Sequence, residues 1–235
     1  MKIKFVQPTT LVDFPGKLAC TIFLFGCNFK CGFCYNPELV LKEATKDLKE
    51  EDVLKFLEKR KGELEGVCFT GGEPLMTIEE DFLRKVKEKG YLIKVDTNGS
   101  FPERLKEFIE KGLIDFVAMD VKGRKEDYEK ISCSKVDLEK IEGSMRIASS
   151  LESYEFRTTF VPRFHDVDKI IKEVDWIHSI IGKKIKKFCL QGFKNSGKFV
   201  DKSFSEEKNV FEEELREVKE KILEENLVED IVLRL

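Results

Sequence analysis

Long apolar runs are missing from this 235-residue chain: none approaches the roughly 20 uncharged residues of a membrane span. The opening MKIKFVQPTT also lacks the apolar run and small-residue cleavage site of a secretion signal. A soluble protein of a reducing cytoplasm is therefore expected. An excess of one charge is missing too. With 42 Lys plus Arg against 45 Asp plus Glu the formal charge is −3, too balanced for a surface that grips nucleic acid by its phosphates. Histidine is scarce: the two are His165, read as a loop residue, and His178, read as a surface one, and neither sits in a metal-ligand pairing. A disulfide framework is not needed at this length. Cys20, Cys68, Cys133 and Cys189 stand alone, without a partner at C-x2-C spacing, so no second cluster domain is supported and they read as small buried hydrophobes.

Charged residues make up 37% of the chain against about 25% in ordinary domains, and the Lys and Glu that dominate them read as solvated helix faces, a bias shared with heat-adapted proteins. Short apolar runs alternate with amphipathic stretches, which is the signature of a parallel α/β sheet covered by helices. Strands are expected at 18–25, 66–70, 91–96, 114–120, 154–161 and 186–191. Helices are expected at 49–61, 77–89, 102–111, 138–151 and 168–181, with a short one at 125–131; Thr77 and Glu80 read as a capping box. Segments 2–7 and 10–13 suggest a small hairpin before the first strand. A loop at 192–204, a helix at 205–226 with Phe211, Leu215, Val218 and Ile222 as its core face, and a terminal strand at 228–233 complete the pattern.

In parallel sheets ligands collect where the strands end and the βα loops converge, and every polar signature of this chain falls there. After the first expected strand come Cys27, Cys31 and Cys34, spaced C-x3-C-x2-C. After the second comes Gly71-Gly72-Glu73-Pro74, after the third Asp96-Thr97-Asn98-Gly99, and after the fourth Asp120-Val121-Lys122. Three thiolates in one tight loop with no fourth nearby suit a cubane iron–sulfur cluster with one iron left open. Asp96 and Asp120 at neighbouring strand ends form a paired-oxygen environment of the kind a hard cation takes.

The cysteine spacing resembles the radical S-adenosylmethionine superfamily. Within it, the segment from TTLVDFPGK to Asn36 resembles the glycyl-radical-enzyme activating enzymes, above all those of anaerobic ribonucleoside-triphosphate reductase. The resemblance runs through GGEP, DTNG and MDVK, and implies one domain over 1–235 with its core at about 17–191, folded as a partial (β/α)6 barrel. It implies a 4Fe-4S cluster on Cys27, Cys31 and Cys34, with S-adenosylmethionine chelated at the open iron. Cofactor contacts are implied for Tyr35, Gly71, Gly72, Glu73, Pro74, Asp96, Asn98, Lys122, Arg157 and Gln191. Glu73 would face the amino group of S-adenosylmethionine, and Lys122 and Arg157 its carboxylate or ribose. Asp96, Thr97, Met119 and Asp120 resemble a site for K⁺ or Na⁺. The implied partners are a glycyl radical enzyme and a flavodoxin- or ferredoxin-type electron donor, with no nucleic acid and no membrane. Two other readings stay open at this point: the same radical chemistry on a small molecule, and a non-catalytic iron–sulfur or zinc protein.

Overall fold

The computed structural model describes residues 1–41 and 46–235. Its sheet has eight strands in sequential order: β1 (Ile3–Thr10), β2 (Ala19–Leu24), β3 (Gly66–Gly71), β4 (Leu92–Thr97), β5 (Phe116–Asp120), β6 (Tyr154–Phe160), β7 (Phe188–Gly192) and β8 (Ile231–Arg234). β1 runs antiparallel to β2, and every later pair is parallel. The two edge strands do not meet, so the sheet curls without closing. Six parallel strands, β2 to β7, form the partial barrel that the resemblance implied.

The helices are α1 (Pro37–Val40), α2 (Glu50–Lys59), α3 (Pro74–Thr77), α4 (Glu80–Glu88), α5 (Pro102–Glu110), α6 (Tyr128–Ser132), α7 (Leu138–Ser150), α8 (Val167–Ile181) and α9 (Glu212–Glu224). Side chains alternate across each strand. Ile22, Val67, Phe69, Ile93, Val95, Val117, Phe156 and Leu190 are buried in the main core with the helix residues Leu57, Phe82, Leu105, Ile141, Ile170 and Leu215. The alternate positions are small or polar and face the hollow of the sheet: Cys68, Lys94, Asp96, Ala118, Asp120, Arg157 and Gln191. Phe14, Ala19, Phe116 and Ala118 fill its lower end as a separate apolar cluster, with the Phe14 and Phe116 rings 5.8 Å apart. The hollow is thus plugged below and open above, where the strands end. No described helix is long and apolar enough to cross a membrane.

Several expectations are corrected. The hairpin of 2–7 with 10–13 is replaced by one strand, Ile3–Thr10, laid along β2. It ends because the Thr10 hydroxyl accepts the backbone N–H groups of Val12 and Asp13 at 3.3 and 3.2 Å, which bends the chain away. The helix expected at 77–89 is broken, since α3 ends at Thr77 and Ile78 is extended. Thr77 therefore caps nothing, and its hydroxyl is buried without a partner among the described residues. The helix expected at 205–226 begins only at Glu212. Phe204 is instead drawn into an aromatic cluster, its ring 6.2 Å from Phe33 and 4.0 Å under the Arg163 guanidinium. Phe211 is consequently exposed, while Leu215, Val218 and Ile222 are buried as expected. Cys20, Cys68 and Cys189 are buried, but Cys133 is exposed in a left-handed turn. His165 lies in the loop after β6, as expected, and is buried there against β6 and the β5 loop.

Candidate active site

Leu24 ends β2, and the chain turns at Gly26 into the cysteine loop. Gly26 receives a close neighbour. A side-chain carbon on Gly72 would lie 2.0 Å from the Gly26 carbonyl oxygen, and one on Gly71, which has φ +118°, 2.4 Å from the Leu24 carbonyl. The Gly72 and Glu73 N–H groups donate to Leu24 and Gly26 at 2.9 and 2.7 Å. The glycines are thus required by the approach of the protein's own backbone, which ties the end of β3 to the cysteine loop. On its other flank the loop is held by the segment after β7. A side-chain carbon on Gly32 would meet the Phe204 ring at 2.6 Å, and the Asp201 N–H donates to the Gly32 carbonyl at 3.0 Å. Tyr35 stacks on Phe193 with ring centroids 6.1 Å apart, and its hydroxyl accepts the Lys194 N–H at 2.8 Å. This aromatic brace had no periodic signal in the sequence.

A cavity of about 380 Å³ opens between these elements, within the range of small-molecule and cofactor sites. Cys27, Cys31, Cys34 and Tyr35 line one wall. Gly71, Gly72, Asp96, Thr97 and Asn98 line the next, followed by Asp120, Lys122, Arg157 and Gln191. The candidate residues are thereby brought together, with three exceptions. Glu73 and Pro74 lie outside the cavity, as does Met119, whose side chain is buried in the core. Sequence reasoning missed Thr159, Lys194 and Arg234, which also line it. Arg234 had a readable signal, because it follows an expected strand by one residue.

Glu73 was expected to face an amino group of S-adenosylmethionine, yet its carboxylate is wholly buried and used inside the protein. It accepts from Leu75 N–H at 3.0 Å, from the Thr97 hydroxyl at 2.8 Å and from Asn98 N–H at 2.6 Å. Burial pushes its carboxyl up to about 7, against the pull of those three donors. Glu73 is a staple between the β3 and β4 loops.

Asp96 and Asp120 were expected to hold K⁺ or Na⁺, and the structure gives them cations of the chain itself. Arg157 bridges them, 3.2 Å from Asp96 and 2.8 Å from Asp120. The buried Lys94 ammonium pairs with Asp96, and Lys122 lies 3.2 Å from Asp120. Burial opposes ionisation of both acids, but Arg157 with Lys94 or Lys122 overcomes it and holds both carboxyls below the usual range. Arg157 is therefore a bridge between strands as well as a cavity wall.

Burial raises all three loop thiols, Cys27 to about 12 and Cys31 to about 11, so they stay protonated until a metal replaces their protons. Among the described residues no three Cys, His, Asp or Glu side chains close on a point that would hold one metal ion. Three thiols lining one cavity, with free space beside them, would hold an iron–sulfur cluster and leave room for a chelating ligand.

The Radical SAM superfamily profile matches residues 21–174. A putative glycyl-radical enzyme activating enzyme of Methanocaldococcus jannaschii is 34% identical over 179 residues, 70% of this chain and 72% of that protein. The pyruvate formate-lyase-activating enzyme of Clostridium pasteurianum is 32% identical over 127 residues, about half (52%) of either chain. The solved structure of TYW1 with a lysine-pyruvate adduct bound aligns with a TM-score of 0.63 at 15% identity, over 88% of this chain and 73% of that one, a likeness of fold alone.

Proposed function

The chain belongs to the Radical SAM superfamily and is homologous to glycyl-radical-enzyme activating enzymes, and from this we propose that it installs a glycyl radical on a partner enzyme, anaerobic ribonucleoside-triphosphate reductase. When bound, a 4Fe-4S cluster and S-adenosylmethionine supply a one-electron reductive cleavage whose 5′-deoxyadenosyl radical takes a hydrogen atom from a glycine Cα. Cys27, Cys31 and Cys34 would hold the cluster. Gly71 and Gly72 present bare backbone to the cavity, and Tyr35 and Gln191 also line it. Lys122, Arg157 and Arg234 bring three positive groups to the lining, which suits the carboxylate of the methionine moiety.

The carrying observation is that one cavity joins the three-cysteine loop to the ends of six strands in a sheet that does not close. An unclosed side gives a glycine on a large partner a route to the radical. A reduced flavodoxin or ferredoxin in the cytoplasm would deliver the electron. The test mixes the reconstituted protein, reductant and S-adenosylmethionine with the reductase carrying deuterium at its glycine α-position. An EPR doublet from the glycyl radical should grow together with deuterium in 5′-deoxyadenosine. If no glycyl radical enzyme yields the doublet while a small molecule surrenders the label, the partner reading fails.

A further inference from the structure

Asn98 sits at the end of β4, 6% exposed, and was expected only as a contact for S-adenosylmethionine. Its hydrogen bonds point elsewhere. The side-chain oxygen accepts the Ser100 N–H at 3.0 Å and the Ser100 hydroxyl at 2.5 Å. A backbone N–H can only donate, so this bond decides which end of the amide is oxygen. The amide nitrogen then faces the cysteine loop, 3.0 Å from the Asn28 side-chain oxygen and 3.9 Å from Cys27 Sγ. The backbone of Asn98 is held as firmly, through its N–H to the buried Glu73. An amide locked at both ends thus aims an N–H at one sulfur of the loop. The Phe29 N–H, 3.4 Å away, is the second donor to that sulfur.

We propose that Asn98 is a positioning residue for the cluster's electronics: its side-chain N–H bonds the Cys27 thiolate and raises the reduction potential of the cluster. The proposal rests on Cys27 being a cluster ligand. A hydrogen bond to a ligand sulfur stabilises the state with more negative charge, which is the reduced one, so the donor favours uptake of the electron. The Glu73 staple acquires a purpose on this account. It fixes the β4 turn from below while Ser100 fixes the amide from the side, so the N–H cannot swing away when the thiol becomes a thiolate.

The experiment is a spectroelectrochemical titration of the anaerobically reconstituted protein. Asn98→Ala should lower the reduction equilibrium constant roughly three- to tenfold, a fall of about 30 to 59 mV for one electron. Asn98→Asp, nearly identical in shape, replaces the donor by a carboxylate and should lower it further. Asn28→Ala removes the other acceptor of the same amide nitrogen and should change the constant by less than about twofold. Potentials unmoved in both Asn98 variants, or an equal fall in Asn28→Ala, overturn the assignment. Pulsed EPR of the reduced parent protein with ¹⁵N-asparagine serves even where a variant assembles no cluster. A side-chain nitrogen coupling present in the parent and kept in Asn28→Ala supports the bond, and no such coupling in the parent sinks it. A parent protein that assembles no 4Fe-4S cluster at all would refute the proposed function instead, so the two failures are separable.

Discussion

Acidification should loosen the rim of the cavity through His165, and the size of the effect follows from its surroundings. The ring is 4% exposed. Its Nδ1 accepts the Val161 N–H at 3.0 Å, and its Nε2, 3.1 Å from the Lys122 carbonyl, carries the proton and donates to it. Both nitrogens are thus used by the neutral ring, and a second proton would have to displace the Val161 bond. Burial pushes the ring down to about 4, and the bond to the Lys122 carbonyl only partly opposes this. The folded value lies below the ordinary 6.5, so between those limits the unfolded chain binds more protons. Stability is therefore complete above pH 6.5 and is lost as pH falls towards 4, by about 3 kcal/mol from this residue. His165→Asn keeps an acceptor but loses the link to Lys122, and should cost about 1–3 kcal/mol at pH 8. Urea unfolding of both proteins from pH 8 to pH 4 is the assay. Titrations at distant sites cancel in the difference, so the gap should shrink and then reverse on acidification. A gap constant across that range, or a ring that titrates near 6.5 by NMR, refutes the reasoning.

Single changes of Cys27, Cys31 or Cys34 to Ala should abolish stable cluster assembly, whereas Ser at Cys20, Cys68, Cys133 or Cys189 should spare it; iron per chain decides, and a normal content in Cys31→Ala would remove that ligand. Gly72→Ala drives a carbon into the Gly26 carbonyl and should cost at least about 3 kcal/mol. Gly143→Ala in α7 meets only Pro102 at 3.5 Å and should instead add about 0.5–1 kcal/mol; denaturant midpoints test both. Arg157→Ala removes the cation shared by Asp96 and Asp120, leaving Lys94 on one acid and Lys122 on the other, and should make cleavage of S-adenosylmethionine depend on added K⁺ or Na⁺, while the parent protein in choline salts should lose nothing. A parent that needs the added cation would return these acids to a metal-binding role.

Local pattern carried most of the architecture. Alternation of apolar runs with amphipathic stretches located six of the parallel strands, because burial against helices on the outer face demands β-branched and aromatic residues at every second position. The cysteine spacing and the GGEP, DTNG and MDVK turns marked the functional rim, because strand ends are short in sequence and their chemistry is concentrated in three or four residues. What local pattern could not carry was the partner of each polar group. Glu73 reads the same whether its carboxylate meets a ligand or three donors of its own protein, and only the packing of the β3 loop against the β4 turn settles that. Asp96 and Asp120 read only as two acids at neighbouring strand ends, and the fold alone shows that β6 delivers Arg157 between them, 37 residues beyond Asp120. The helix expected at 205–226 starts late for a related reason: the segment before it is held by Phe204, whose ring packs on Phe33 and under Arg163, and such long-range contacts are set by tertiary structure alone.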